Sequence, residues 1–273
     1  MEFEFERSRS RVFFRKQWKK VDFLIVGTQK GGTTALDHYL REHPEVGMAR
    51  GRKELHFFDD EGIFAHPTIN YRKLESRFSS SARFKIRGEA TPSYLYWRPS
   101  IQRIHDYNSA MKLIVLLRNP IDRAFSHWNM FVEKGKETRQ FMECVDIGRS
   151  LLASGTIGQD LRNSYLDRGI YGPQLDRLFG VFPKEQLCIM KYEDFVREQL
   201  DSLHQIFRFL GVETELFQFQ REQVHARPHR SRLTDEERRS VGEVFSSDIE
   251  CVERMLGWDC SDWKVGSPPA LVR

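Results

Sequence analysis

Short apolar runs alternate with longer amphipathic stretches along most of the chain. Val21-Asp22-Phe23-Leu24-Ile25-Val26 leads into a glycine-rich turn, and Lys112-Leu113-Ile114-Val115-Leu116-Leu117 leads into Arg118-Asn119-Pro120. Leu187-Cys188-Ile189-Met190 is a third run of the same kind. Near-continuous apolar runs of this length suit strands covered on both faces, as in a parallel sheet. The pattern predicts strands over 22–26, 84–89, 112–117 and 186–190. It predicts helices over 33–43, 98–107, 121–134, 138–154, 172–180, 195–210 and 235–256. Strands alternating with helices imply an α/β fold of three layers, a central parallel sheet flanked by helices. One domain over 21–265 is expected, after a basic arm at 1–20 and before a tail at 266–273 rich in Gly, Ser and Pro.

Four segments carry chemistry. The first is Gly27-Thr28-Gln29-Lys30-Gly31-Gly32-Thr33-Thr34, between a strand and a helix start. Gly27 and Gly32 have the glycine spacing of a nucleotide P-loop, so the fold is expected to be P-loop-like. Thr33 stands where that loop carries its lysine, and Lys30 lies inside the loop instead. A helix start with a lysine beside it is a ready anion site. The second segment is Arg118-Asn119-Pro120-Ile121-Asp122-Arg123-Ala124-Phe125-Ser126. Arg118 ends a strand, where open α/β sheets bind ligands, and Ser126 brings a hydroxyl towards the same anion. The third, Arg52-Lys53-Glu54-Leu55-His56-Phe57-Phe58-Asp59, offers a carboxylate and an imidazole as bases. The fourth is Gly88-Glu89-Ala90-Thr91-Pro92-Ser93-Tyr94.

These segments resemble the sulfotransferases that use PAPS (3′-phosphoadenosine 5′-phosphosulfate). The form Gln-Lys-Gly-Gly-Thr-Thr-Ala-Leu is most similar to the heparan sulfate sulfotransferases and their bacterial relatives. The resemblance implies transfer of a sulfuryl group from PAPS to a hydroxyl, with an amine as second choice, and 3′,5′-ADP as product. It implies a 5′-phosphosulfate site at Lys30, Gly31, Gly32, Thr33 and Thr34, and a 3′-phosphate site at Arg118 and Ser126. The family's general base falls on Glu54; His56 is the competing base, since imidazole serves in the cytosolic type. Lys53, Glu89 and Tyr171 are the candidate substrate-side residues, although Glu89 also reads as a hydrogen-bonded strand-end carboxylate. Val224-His225-Ala226-Arg227-Pro228-His229-Arg230 matches the place of a basic loop that closes over the phosphates, with Arg227 and Arg230 as its candidates. A solvated loop is the alternative there. Ala90 stands where the heparan sulfate enzymes carry a lysine, which argues against a highly sulfated acceptor. The expectation is a small metabolite or a neutral or lightly charged saccharide, and no metal.

Composition narrows the class. A chain of 273 residues, 40% hydrophobic and 30% charged, can bury a sizeable core. No apolar run reaches eighteen residues, and residues 1–20 lack an apolar signal core. No membrane partner is expected. Golgi relatives carry an anchor, so the expectation is a cytoplasmic enzyme, bacterial in origin, or a soluble catalytic domain trimmed from a Golgi enzyme. The net charge is +4, and Arg7, Arg9, Arg11, Arg15, Lys16, Lys19 and Lys20 cluster at the start. That cluster reads as a solvated arm, and no nucleic acid partner is expected. Cys144, Cys188, Cys251 and Cys260 have no metal spacing. Two other classes share features. A P-loop nucleotide kinase needs a lysine at position 33 and an acid for Mg²⁺. A non-catalytic binder of sulfated polymers leaves Glu54 unexplained.

Overall fold

A computed structural model describes residues 19–51, 53–155, 164–219 and 232–264. Its centre is a five-stranded sheet: β1 (Phe23–Gly27), β2 (Val46–Met48), β3 (Ile86–Ala90), β4 (Lys112–Leu117) and β5 (Leu187–Lys191). The order is β2-β3-β1-β4-β5, and every neighbouring pair is parallel. The helices are α1 (Thr33–Glu42), α2 (Glu61–Phe64), α3 (Arg72–Glu75), α4 (Ser100–Tyr107) and α5 (Pro120–Glu133). They continue with α6 (Phe141–Ala153), α7 (Gly172–Phe179), α8 (Tyr192–Arg197), α9 (Gln199–Leu210) and α10 (Asp235–Leu256).

Alternate strand residues feed two separate cores, as a period of two requires. Leu24, Val26, Leu113, Val115 and Leu117 pack with Ile101 and Ile104 of α4, Ile121 of α5, Leu175 of α7 and Phe245 of α10. Phe23, Ile25, Ile114 and Leu116 pack on the other face with Leu36 and Leu40 of α1 and Leu203, Ile206 and Phe207 of α9. Burial on both sides explains why the strands read as continuous apolar runs rather than alternating ones.

The four expected strands and the expected helices stand within a few residues of their predicted bounds. Two differences have plain causes. β2 holds three residues, too few for any periodic signal, and it forms by pairing Val46, Gly47 and Met48 with β3. The helix expected over 195–210 starts earlier, at Tyr192, and breaks at Glu198, whose φ of −118° and ψ of 54° are not helical. Among the described residues no helix is long and apolar enough to cross a membrane.

The chain runs from β1 to β2 and β3 on one side, and to β4 and β5 on the other. Strand order therefore reverses beside β1, and loops at that carboxyl edge can open a crevice. The β1–α1 loop packs directly on the end of β4. A Cβ on Gly31 would lie 2.6 Å from the Leu116 carbonyl oxygen and 2.6 Å from Thr28 Oγ1. The carbonyl belongs to a ladder strand and has little room to shift. Gly31→Ala is expected to destabilise the fold by roughly 1–3 kcal/mol, the usual cost of overpacking. Urea unfolding measures this; a midpoint equal to wild type would contradict the packing described.

Candidate active site

The β1–α1 loop is tied to β4 before it reaches the helix. Thr28 donates to the Leu116 carbonyl through both its N–H (2.8 Å) and its hydroxyl (2.9 Å). Lys30 then takes left-handed backbone, with φ 71°. Gly32 follows at φ 87°, where a Cβ would meet the Tyr192 ring at 2.6 Å. Gly32 is the N-cap of α1, no side chain caps the helix, and its first turn holds no acid. The opening N–H groups thus keep their partial positive charge for an anion. Such a helix start can receive an anion, and the Thr33 and Thr34 hydroxyls stand at it.

The β4–α5 corner lies beside it. Arg118 Nη1 donates to the Lys30 carbonyl at 3.1 Å, and the guanidinium lies 4.9 Å from the centre of the Tyr192 ring. Asn119 caps α5 by accepting from the N–H of Ile121 (3.0 Å) and Asp122 (3.4 Å). Its own N–H donates to Glu193 Oε1 at 2.9 Å, and Trp263 Nε1 donates to Glu193 Oε2 at 3.2 Å. Glu193, an acid of the first turn of α8, thus clamps this corner. Ser126 is buried on α5. Tyr171 is 1% exposed and its hydroxyl donates to the Arg118 carbonyl at 2.7 Å. It stands in the core behind Arg118, with its hydroxyl occupied there.

The Glu54 segment closes the third side. Lys53 Nζ donates to Thr34 Oγ1 (3.1 Å), Thr33 Oγ1 (3.4 Å) and Glu54 Oε1 (3.3 Å). One ammonium therefore joins the helix start to the candidate base. Glu54 Oε2 lies 3.5 Å from His56 Nε2, and His56 Nδ1 lies 2.9 Å from Asp59 Oδ2. Ser93 Oγ donates to the same Asp59 oxygen. Glu54 and His56 both have left-handed backbone, with φ 66° and 52°. Asp59 and Glu54 raise His56 to about 10, against the opposing effect of burial. Burial would raise Glu54, but the His56 hydrogen bond and the Lys53 charge outweigh it and hold the carboxyl at about 2. The resting arrangement is an imidazolium between two carboxylates.

Glu89 lies beneath, 1% exposed on β3, and accepts from the Thr91 hydroxyl at 2.7 Å. Burial pushes it up to about 7, and the Thr91 and Tyr94 hydroxyls oppose that rise. It is a hydrogen-bonded carboxyl near the end of its strand. Arg227 and Arg230 lie outside the described residues, as do residues 1–18 of the basic arm and the tail from 265. Among the described residues all four cysteines are free thiols, Cys188 is buried in β5, and Cys251 Sγ lies 3.7 Å from Met255 Sδ.

Three participants escaped the sequence reading. Asp59 was in the quoted motif, three positions after His56, and that spacing was its signal. Ser93 reaches Asp59 from another strand end, which no local spacing reveals. Arg168, buried beneath the first loop, donates to Gln29 Oε1 at 2.8 Å. Tyr171, Glu89 and Arg168 share one lesson: orientation behind a loop depends on strand and helix placement.

Known proteins resemble this chain over most of its length. The family model described as a sulfotransferase domain matches residues 20–243. Heparan sulfate glucosamine 3-O-sulfotransferase 5 of Mus musculus is 30% identical over 196 residues, 72% of this chain and 55% of that protein. Heparan sulfate glucosamine 3-O-sulfotransferase 6 of Homo sapiens is 33% identical over 193 residues, 69% of this chain and 52% of that protein. The chain thus spans about half the length of these relatives. A solved sulfotransferase from Alicyclobacillus acidocaldarius matches with a TM-score of 0.74 and 28% identity, covering 90% of this chain and 99% of that one.

The His56 charge has a measurable consequence. Its folded value is raised from 6.5 to about 10, so its stabilising contribution is complete below pH 6.5 and is lost as pH rises through about 10. Glu54 works oppositely: lowered from 4.5 to about 2, it stabilises above pH 4.5 and loses that contribution as pH falls through about 2. An NMR titration of the His56 ring is expected to show a midpoint far above 6.5. Asp59→Asn should lower that midpoint, because Asp59 is the largest raising influence. A wild-type midpoint near 6.5, indifferent to Asp59→Asn, would contradict the arrangement.

Proposed function

Because this chain belongs to the sulfotransferase domain family, we propose that it moves a sulfuryl group from PAPS to an acceptor hydroxyl, with Glu54 as general base. The observation that carries the reading is Lys53, whose ammonium touches both hydroxyls of the uncapped α1 start and the Glu54 carboxylate. An anion cradle and a positioned base are thereby joined by one side chain. PAPS supplies an activated sulfuryl group and a phosphate able to leave with the bond electrons.

Thr33, Thr34 and the first N–H groups of α1 hold the 5′-phosphate, and Arg118 with Ser126 holds the 3′-phosphate. Arg presents a planar fork suited to phosphate oxygens. Gly31 and Gly32 allow the backbone to approach this closely. Lys30 balances the negative charge that grows on the leaving phosphate oxygen. Glu54 faces the acceptor and takes the hydroxyl proton as that oxygen bonds to sulfur. The sulfur–oxygen bond to the phosphate breaks, and the products are the sulfate ester, 3′,5′-ADP and one proton on Glu54. His56 already holds its proton near neutral pH, so it serves as a charge partner to Glu54 rather than as the base. Lys53 also links the two halves of the reaction. A bound anion draws Lys53 towards the phosphate, weakens its hold on Glu54, and makes the carboxylate a stronger base.

The acceptor follows from the relatives and one departure. The two relatives are by name 3-O-sulfotransferases of heparan sulfate glucosamine. Ala90 ends β3 here, buried and uncharged, where the heparan-type motif has a lysine. A neutral or lightly charged saccharide, or a small hydroxylated metabolite, is the proposed acceptor. Screening acceptors with PAPS for a mass gain of one sulfuryl group identifies it.

The test of the mechanism is Glu54→Gln, which keeps the shape and removes the basicity. It should bind 3′,5′-ADP like wild type in calorimetry, while ATP binds far more weakly. It should lose at least about 10²-fold in turnover, the low end for a positioned base, and His56→Ala should lose less. Failure of the folded wild type to bind 3′,5′-ADP would overturn the reading. An active Glu54→Gln with an inactive His56→Ala would move the base to His56.

A further inference from the structure

Arg168 is a buried cation that the mechanism above does not use. It is 4% exposed and sits in the short 3₁₀ turn Asp167–Gly169, between the segment starting at Ser164 and α7. Its Nε donates to Ser164 Oγ at 2.8 Å, and its guanidinium lies 4.5 Å from the centre of the Tyr96 ring. The Tyr96 hydroxyl is in turn bonded to Asp167. The guanidinium is thus fixed on two sides by its own surroundings. Its third contact crosses 139 positions of sequence: Nη1 donates to Gln29 Oε1 at 2.8 Å. Gln29 directly precedes Lys30, whose φ of 71° is left-handed backbone that a side-chain-bearing residue seldom holds unaided. On the other side of that residue, Arg118 Nη1 grips the Lys30 carbonyl at 3.1 Å.

Two arginines from distant segments therefore bracket one strained residue. Arg118 is explained by an anion site; Arg168 is not. Burying a guanidinium is costly unless its N–H groups are used well, and burial lowers Arg168 to about 10. A glutamine amide gives it a neutral acceptor of fixed direction, without placing a carboxylate beside a phosphate site.

Resting on the sulfuryl-transfer reading, we propose that Arg168 is a positioning residue that acts through Gln29 to hold the Lys30 turn at the 5′-phosphate end of the donor site. It is expected to matter for recognition of the 5′-phosphate and not for the 3′-phosphate, which belongs to the β4–α5 corner.

Calorimetry with two nucleotides separates these ends: 3′,5′-ADP, and adenosine 3′-phosphate, which lacks the 5′-phosphate. Wild type should prefer 3′,5′-ADP. Gln29→Ala and Arg168→Lys should each reduce that preference by roughly tenfold, as expected for a lost hydrogen bond to a charged group. Binding of adenosine 3′-phosphate should stay at the wild-type level. In a Lys30→Ala background, Gln29→Ala should reduce the preference no further, since residues acting as one unit are not additive. Gln29 is only partly buried, so Gln29→Ala decides the matter even if Arg168→Lys fails to fold. Equal weakening of both nucleotides would overturn the proposal, because a merely structural arginine disturbs the whole site. Additive losses with Lys30→Ala would also overturn it. A wild type that binds neither nucleotide would instead overturn sulfuryl transfer itself, and this inference with it.

Discussion

Three non-glycine residues of this site, Lys30, Glu54 and His56, sit on left-handed backbone. Each such residue costs on the order of 1–3 kcal/mol and persists only where its surroundings over-determine it. The site is organised around holding these three. Arg118 and Arg168 restrain the Lys30 turn, the Leu116 carbonyl receives Thr28, and Gly31 and Gly32 let the loop lie against β4 and Tyr192. Lys53, Asp59 and Ser93 hold the second strained stretch. Relaxing either stretch would re-aim an ammonium or a carboxylate, and a misplacement of about 1 Å is already costly for a group that must be held in a reactive geometry.

Charge follows the same division. The loop corner is cationic: an uncapped helix start, Lys30, Lys53 and Arg118. The opposite wall carries Glu54, with His56 and Asp59 behind it. Lys53 belongs to both, and its position fits a reaction in which negative charge moves towards the helix while a proton moves away from it. Glu89 lies deeper, a carboxyl raised to about 7 by burial. The parallel sheet makes this meeting possible. Its five strands present their carboxyl ends at one edge, so segments near residues 30, 54, 91, 118 and 192 converge although they are far apart in sequence.

Much of the architecture was legible from apolar runs, because doubly covered strands leave an unmistakable signal. The extended run Lys112–Leu117 matches β4 residue for residue. β2 was not legible, since three residues have no period and owe their form to β3. The corner residues Lys30, Thr33, Arg118 and Glu54 stood out because glycine spacing, a proline-started helix and a carboxylate–imidazole pair are local patterns. What binds the corners to one another was hidden. The Arg168–Gln29 contact spans 139 positions, and Asp59 meets Ser93 across 34. Nor does sequence reveal which way a side chain turns at a strand end. Tyr171 read as a substrate neighbour, yet its hydroxyl supports the Arg118 carbonyl from the core.

The most direct measurement is a crystal structure of the protein with 3′,5′-ADP bound. The 5′-phosphate is expected on the N–H groups of Thr33 and Thr34, flanked by Lys30 and Lys53, with the 3′-phosphate on Arg118 and Ser126. The Glu54 carboxylate should then face the 5′-phosphate across a gap that admits a sulfuryl group and an acceptor oxygen in line. A nucleotide bound in the reverse sense, or one whose 5′-phosphate lies away from Glu54, would contradict it.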